Sequence, residues 1–366
     1  MYLKKLNLLN FKNYEEAEIE FSPRINCFAG LNGVGKTNLL DAIYYLSLCK
    51  SYFNPIDSQN IRHDADFFVV EGEYERNGEV EHIFCGLKRN QKKQFKRNRK
   101  EYHRLSDHIG LIPLVMISPA DGSLIAEGSE ERRHFINAVI AQYDHAYLEQ
   151  LIHYNGALAQ RNKLLKDFGG DGRFDREALE LWNDQLVPPG ENIHAIRNSF
   201  VDELGPVFQK YYAFISGGLE QVAIAYQSHL FSGDFNGLLQ SSLEKDRILQ
   251  FTTAGVHKDD LLLKLSEHPI KRTGSQGQQK TFLVALKLAK FDFIKQHNGQ
   301  KPILLLDDIF DKFDEHRVNQ VLNLVASDNF GQIFITDTHP ERMEKILADL
   351  KIESRLFHIE NNRISH

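Results

Sequence analysis

The chain has 366 residues, a formal net charge of −6, 42% hydrophobic and 26% charged residues, and three cysteines. That length allows two domains, and the composition is that of an ordinary globular protein, which excludes fibrous and disordered classes. The acidic balance excludes a surface that coats itself in nucleic acid at large, so any DNA contact must come from a local basic patch.

The first residues, Met1-Tyr2-Leu3-Lys4-Lys5, lead into mixed polar sequence and not into a long apolar core. No later apolar stretch is long enough to cross a bilayer, so a cytoplasmic protein with no membrane partner is expected. Cys27, Cys49 and Cys85 form no C-x-x-C pair, which argues against a disulfide framework or a zinc site.

Patterning predicts strands over 2–9, 17–21, 24–28, 67–74 and 81–87. After the third stands Gly30-Leu31-Asn32-Gly33-Val34-Gly35-Lys36-Thr37, the pattern G-x-x-x-x-G-K-[ST]. It follows apolar Ile25, Cys27 and Phe28 and precedes a helix over 38–48, where Leu39, Leu40, Ile43 and Leu46 recur at helical spacing. Strand, glycine turn and helix is the context in which backbone N–H groups and a helix N-terminus close around a polyphosphate. The residues from Gly30 to Asn38 are expected to hold the nucleotide, with Lys36 on its outer phosphates and Thr37 holding Mg²⁺.

Residues 88–100 contain eight cations (Lys88, Arg89, Lys92, Lys93, Lys96, Arg97, Arg99 and Lys100), no acid, and Phe95 among them. Such a run is usually a solvated hairpin. Lys92, Lys93, Lys96 and Arg97 are the candidate contacts to DNA phosphates.

From about residue 129 the texture turns helical. Tyr147, Leu151, Tyr154, Leu158 and Leu165 lie near one helical stripe, with Arg161 and Lys166 off it. The run Phe168-Gly169-Gly170-Asp171-Gly172 predicts a loop. A helix over 177–186 is expected to end at Pro188-Pro189 and another to resume over 192–214. Residues 221–227 alternate like a strand. Beyond about 258 the α/β texture returns, with strands expected at 260–265, 303–307, 332–336 and 355–359. No internal repeat or sustained heptad is present.

Pro302-Ile303-Leu304-Leu305-Leu306-Asp307-Asp308 is an apolar strand ending in two carboxylates. Beside a phosphate loop, Asp307 is expected to hold Mg²⁺ and Asp308 to orient or deprotonate an attacking water. The plainer reading is a buried strand followed by helix-capping acids. Ser275-Gln276-Gly277-Gln278-Gln279-Lys280 opens a helix with apolar Phe282, Ala285, Leu286, Ala289 and Phe293. Ser275 suits an N-cap. The same donors form a second anion site, which can meet the phosphate loop of another copy across a symmetric dimer.

These motifs resemble the ABC-type ATPase heads, and within them the SMC/RecF group. Leu6 to Tyr14 is similar to the group's opening strand, and Asn32 and Asn38 suit this group better than transporters. The resemblance to RecF proteins extends over the whole chain. It is carried by Ser118-Pro119-Ala120-Asp121, Glu131-Arg132-Arg133 with Phe135, Gln160-Arg161-Asn162 with Leu164-Leu165-Lys166, and Trp182 with Gln185-Leu186. His257-Lys258-Asp259-Asp260 and the Ser275 segment complete it. Lys258 and Lys280 stand where the family leads one to expect Arg, and Pro188-Pro189 falls where its helix would run on.

The resemblance implies an α/β P-loop NTPase, an ABC-ATPase-like head split by a mostly helical second lobe with a short arm. Residues 1–125 would form the first part of the ATPase lobe and 126–255 the helical lobe. Residues 256–366 would supply the signature helix, the Walker B strand and the rest of the core. It further implies a weak DNA-stimulated ATPase of recombinational repair and replication restart, binding ATP, Mg²⁺, and single- and double-stranded DNA at gaps. An ATP-dependent homodimer would be completed by Ser275, Gly277 and Gln278 of the second copy, with RecR and RecO as partners and RecA loaded indirectly. His339 is the candidate γ-phosphate sensor. Asp308 is shorter than the Glu of fast ABC ATPases, so slow turnover is expected. Three other classes fit less well. A transporter subunit would show L-S-G-G-Q, an SMC head needs a long heptad arm between Lys36 and Asp307, and a nuclease-coupled ATPase needs a further acidic domain.

Overall fold

Alternation in the first hundred residues builds an antiparallel sheet. In a computed structural model, which describes residues 1–171, 174–218, 220–310, 315–350, 352–360 and 363–365, the chain divides into two units. One comprises Met1–Gly122, Phe214–Gly217 and Lys280–His366, and the other Ser123–Ala213 and Gly218–Gln279.

In the first unit the antiparallel sheet runs in the order Tyr14–Glu20, Tyr2–Phe11, Phe67–Arg76, Glu79–Lys88, Gln94–Arg97, Lys100–Glu101. Leu6, Leu8, Phe68, Val70, Ile83, Cys85 and Phe95 are buried on one face, while Glu16, Glu18 and Glu71 stand exposed on the other. That is the period of two that a half-buried strand demands. The second sheet runs Arg363–Ser365, Ser354–Glu360, Ile25–Ala29, Ile333–Asp337, Ile303–Leu306, Leu114–Ile117. All its pairings are parallel except that of Arg363–Ser365. Its four strands from Ile25–Ala29 to Leu114–Ile117 are buried at every position, as parallel strands covered on both faces are. The helix Lys36–Leu48 packs against strands of both sheets. Phe21 meets Phe334 edge-on at 4.9 Å and Phe357 at 5.8 Å between ring centres, an arrangement that adds to simple burial.

The predicted strands of this unit are present with ends shifted by up to three residues. Leu114–Ile117, Gln94–Arg97, Lys100–Glu101 and Arg363–Ser365 are additional strands. Leu114–Ile117 is too short to show a period, Gln94–Arg97 lies inside the charge run, and Lys100–Glu101 begins at its last residue.

The second unit holds the helices Ser129–Ile140 and His145–Asp171, most of Arg176–Ser216, and a three-stranded sheet, His268–Pro269, Asp260–Leu265, Val222–Gln227, against whose central strand Ser129–Ile140 packs. Three expectations need correction. The helix does not stop at Pro188-Pro189: Arg176–Ser216 runs through both prolines. Each proline removes one backbone donor, but Asp184 and Gln185, whose carbonyls lose those bonds, are solvent-exposed. Buried Leu179, Leu186, Ile193 and Phe200 hold the helix on both sides of the break. Gly169 and Gly170 are not a loop but the end of His145–Asp171, and residue 172 lies outside the described residues. A Cβ at Gly169 would stand 2.3 Å from Nε2 at the end of the flexible Gln250 side chain. Arg161, placed off the stripe by its charge, is fully buried on it with Tyr154, Ala157 and Leu165.

The buried charges of this unit are paired. Arg161 donates to Asp246 Oδ2 at 2.8 Å, and Arg197 to Asp259 Oδ2 at 2.8 Å. Arg132 holds Asp260 through two bonds of 2.6 and 3.0 Å. His257 bridges Tyr154 Oη at 2.7 Å and the Thr252 carbonyl at 3.0 Å, and burial pushes its imidazole down to about 4. The segment His257-Lys258-Asp259-Asp260 therefore ties together the helices and sheet of its own unit. No helix among the described residues is long and apolar enough to cross a membrane.

Candidate nucleotide site

The strand Ile25–Ala29 delivers the chain to Gly30 at the carboxyl end of the parallel sheet, where open α/β sheets carry their ligand crevices. Two glycines shape the turn. Gly33 and Gly35 adopt φ of 83° and 107°, which L side chains rarely adopt. A Cβ on Gly35 would lie 2.5 Å from Asn13 Nδ2 and 2.9 Å from Tyr14 Oη. The loop is braced from the turn between the first two strands. Asn38 donates to Asn13 Oδ1 at 2.6 Å, and Tyr14 Oη donates to the Gly35 carbonyl at 3.3 Å.

Gly35 is the N-cap of Lys36–Leu48, so no side chain caps that helix. Its first amides are left as an anion site. Lys36 is 4% exposed, and its ammonium donates to the Gly30 carbonyl at 2.7 Å and the Leu31 carbonyl at 2.9 Å. Leu31, Asn32 and Gly33 are exposed, with Val34 half-buried.

Asp307 ends the strand Ile303–Leu306, separated from the phosphate-loop strand only by Ile333–Asp337. Thr37 Oγ1 donates to Asp307 Oδ1 at 2.9 Å, so the fold joins residues 270 positions apart. Thr336 Oγ1 also donates to Oδ1, at 2.9 Å, and Ser118 Oγ to Oδ2 at 3.3 Å. Burial raises the Asp307 carboxyl above the usual carboxylate range, opposed by these three hydroxyls and by Lys36. One desolvated carboxylate among hydroxyls, beside a phosphate cradle, is the donor set that suits Mg²⁺, which takes few protein ligands and shares phosphate oxygens. Among the described residues no cluster of three or more His, Cys, Asp or Glu could hold a metal unaided.

Asp308 follows with φ of 43°, and its amide donates to Thr336 Oγ1 at 2.9 Å. A positive φ at a non-glycine residue marks a constrained position. His339 is exposed just beyond Ile333–Asp337, its amide donating to Asp337 Oδ1 at 2.7 Å. Sequence reasoning missed Thr336 as part of this cluster and gave Ser118 no role in it.

In the second unit, Ser275 and Gln278 cap their helix reciprocally. The Ser275 amide donates to Gln278 Oε1 at 2.7 Å, and the Gln278 amide to Ser275 Oγ at 3.2 Å, a capping box. Gln278 Nε2 also donates to Glu220 Oε1 at 2.6 Å. Ser275 is exposed and Gly277 half-buried.

Within the basic run, Lys93 points inward. Its ammonium donates to Asp57 Oδ2 at 2.7 Å and to the Cys49 carbonyl at 2.6 Å, and lies 5.0 Å from the Tyr45 ring centre. This corrects its assignment as a phosphate contact, because that ammonium is committed to the interior. Arg97 pairs with Glu81 at 2.8 Å, and Lys96 lies over Phe84. Lys88, Arg89, Lys92, Arg99 and Lys100 are exposed.

Comparison with known proteins follows this geometry. The family described as RecF/RecN/SMC N terminal domain matches residues 2–362. The DNA replication and repair protein RecF of Phocaeicola vulgatus is 55% identical over 367 residues, covering 100% of this chain and 98% of that one. The protein of the same name from Flavobacterium johnsoniae is 52% identical over 359 residues, covering 98% and 100%. A solved structure described as the recombination mediator protein RecF-ATP in the RecFOR pathway superposes with a TM-score of 0.89 at 29% identity, covering 100% of this chain and 97% of that one. An Smc head domain from Pyrococcus furiosus shares the fold alone, with a TM-score of 0.55 at 18% identity over 99% and 95% of the two chains. With a family match over almost its whole length and relatives identical at more than half of all positions, the chain belongs to the RecF family of the RecF/RecN/SMC group.

Proposed function

We propose that this chain is an ATP-gated DNA-binding protein of recombinational repair and replication restart, acting in the cytoplasm. The observation that carries the reading is the contact of Thr37 with Asp307 at 2.9 Å beside Lys36, which supports a nucleotide-and-metal site with both halves in place. Residues 30–38 hold the triphosphate, and Thr37 and Asp307 hold Mg²⁺. Bound Mg²⁺ would neutralise developing charge on the phosphates. Lys36 leaves the loop carbonyls for the outer phosphates. Asp308 orients the attacking water, and its short side chain keeps hydrolysis slow. His339 stands ready to sense the γ-phosphate.

Ser275, Gly277 and Gln278 close on the nucleotide of a second copy, exchanging their capping pair for stronger bonds to charged oxygens. The dimer clamps single- and double-stranded DNA at gaps, with RecR and RecO as partners and RecA loading as the outcome. Light scattering with ATP and Mg²⁺ tests the composite site. Wild type is expected to double its mass, while Ser275→Arg binds ATP and stays monomeric. A wild type that remains monomeric with ATP and DNA present refutes it.

DNA contact is assigned to the exposed cations Lys88, Lys92, Arg99 and Lys100 together with half-buried Lys96 and Arg97. Reversing Lys88, Lys92, Arg99 and Lys100 to Glu should flatten the dependence of log K on log salt by about 3.6 for duplex DNA, at about 0.9 per phosphate contact, with ATP affinity unchanged. Lys93→Met should instead lower stability, because it leaves the Asp57 carboxylate without its charged donor and with the Tyr45 hydroxyl alone. An unaltered salt slope in the fourfold variant removes this patch from the DNA site.

A further inference from the structure

The helix Gln276–Asn298 carries two buried lysines, Lys287 and Lys290, 6% and 8% exposed. Both belong to the first unit. The Lys287 ammonium lies 2.5 Å from Asp121 Oδ1, 3.1 Å from the Met116 carbonyl and 3.3 Å from Tyr52 Oη. Asp121 stands in the turn Pro119–Gly122, directly after the strand Leu114–Ile117. Its Oδ2 accepts from the Ser118 amide at 2.8 Å, and its amide donates back to the Ser118 carbonyl at 3.0 Å. Tyr52 Oη donates to Asp121 Oδ1 as well. Ser118 Oγ then donates to Asp307 Oδ2. Lys287, Asp121, Ser118 and Asp307 thus form one continuous polar path.

A buried ion pair is poor evidence for stability, since a well-packed apolar pair of similar volume usually does as well or better. Here the pair has a geometric consequence. Thr37 and Thr336 both occupy Oδ1 of Asp307, and Ser118 is the hydroxyl on Oδ2. The carboxylate plane is therefore set from both ends, and one end is anchored by the turn that Lys287 holds through Asp121. Lys290 is buried nearby, where desolvation and the Lys287 charge push its ammonium down to about 7. Asp121 is the acid that moderates both ammoniums.

We propose that Lys287 is a positioning residue for Asp307: through Asp121 and the Ser118 turn it fixes the rotamer in which Asp307 meets a divalent cation. The proposal rests on reading Asp307 as the metal-holding acid. Outer partners of metal ligands typically change metal affinity 10- to 100-fold when removed.

The test titrates Mn²⁺ into the full chain with ATP by electron paramagnetic resonance, and measures the Mg²⁺ needed for half-maximal hydrolysis. ATP affinity in EDTA is the control for an intact nucleotide cradle. Lys287→Met, Ser118→Ala and Asp307→Asn are compared with wild type. Lys287→Met and Ser118→Ala should weaken metal binding about tenfold, with metal-free ATP affinity unchanged and kcat at saturating metal lowered far less. Lys287→Arg should restore most of the affinity. Ser118→Ala deletes one hydroxyl and keeps the test alive where Lys287→Met fails to fold. If Asp307→Asn weakens metal binding while Ser118→Ala and Lys287→Met do not, the positioning role is overturned and the metal reading stands. If Asp307→Asn itself leaves metal affinity unchanged, the metal reading fails and the positioning role with it.

Discussion

Lys36→Met is expected to weaken ATP binding about a hundredfold while moving the stability of the free protein little. Hydrogen bonds to charged groups contribute roughly 1.5–3 kcal/mol, and a phosphate-loop lysine reaches the β- and γ-phosphates. Losing about 3 kcal/mol corresponds to the hundredfold effect. In the free protein the same ammonium bonds the Gly30 and Leu31 carbonyls. Leu31 is 77% exposed, so water can replace the lysine on the loop. Isothermal titration with ATP and Mg²⁺, beside thermal melts without nucleotide, separates the two effects. Tight ATP binding by Lys36→Met would remove Lys36 from the site. A large fall in melting temperature without nucleotide would mean that its contacts to the loop are structural.

The phosphate loop was legible because strand, turn and helix follow one another within about twenty residues, and each carries its own local signal. Asp307 was legible for a similar reason, as the acid ending an apolar run. What completes the site was not. Thr336 reads in sequence as one more β-branched residue of a buried strand, yet parallel pairing places its hydroxyl on Asp307 Oδ1. Ser118 lies 189 positions from Asp307 and meets it only because Leu114–Ile117 pairs with Ile303–Leu306.

Elsewhere a local rule gave way to packing. Two prolines argue for a helix end, but buried residues on both sides carry the helix across. Lys93 was recoverable. Phe95 pairs with Cys85 and is buried, and a period of two puts residue 93 on that same inward face. The density of charge hid the parity.

Arg161→Met should destabilise the helical unit by about 3–5 kcal/mol, the usual cost of leaving one partner of a buried ion pair alone. Arg161 and Asp246 are both fully buried. The guanidinium joins three parts of that unit, donating from Nε to Asn183 Oδ1 at 2.8 Å and from Nη1 to Asp246 Oδ2 at 2.8 Å and Thr252 Oγ1 at 2.7 Å. Asp246 Oδ1 accepts from the Thr253 amide at 2.8 Å and hydroxyl at 2.7 Å, so those bonds survive while its second oxygen loses its charged donor. Trp182 is the sole tryptophan of the chain and adjoins Asn183, so its fluorescence in urea reports this unit. The midpoint should fall in Arg161→Met and in Asp246→Leu. Arg161→Met with Asp246→Leu should cost less than the two single losses summed, because no buried charge is then left unpaired. Strict additivity would mean that the pair is uncoupled and that each side chain acts through its other partners. A midpoint unmoved by Arg161→Met would mean that water reaches Asp246 when the arginine is gone, and that the burial of this pair does not hold the helices together.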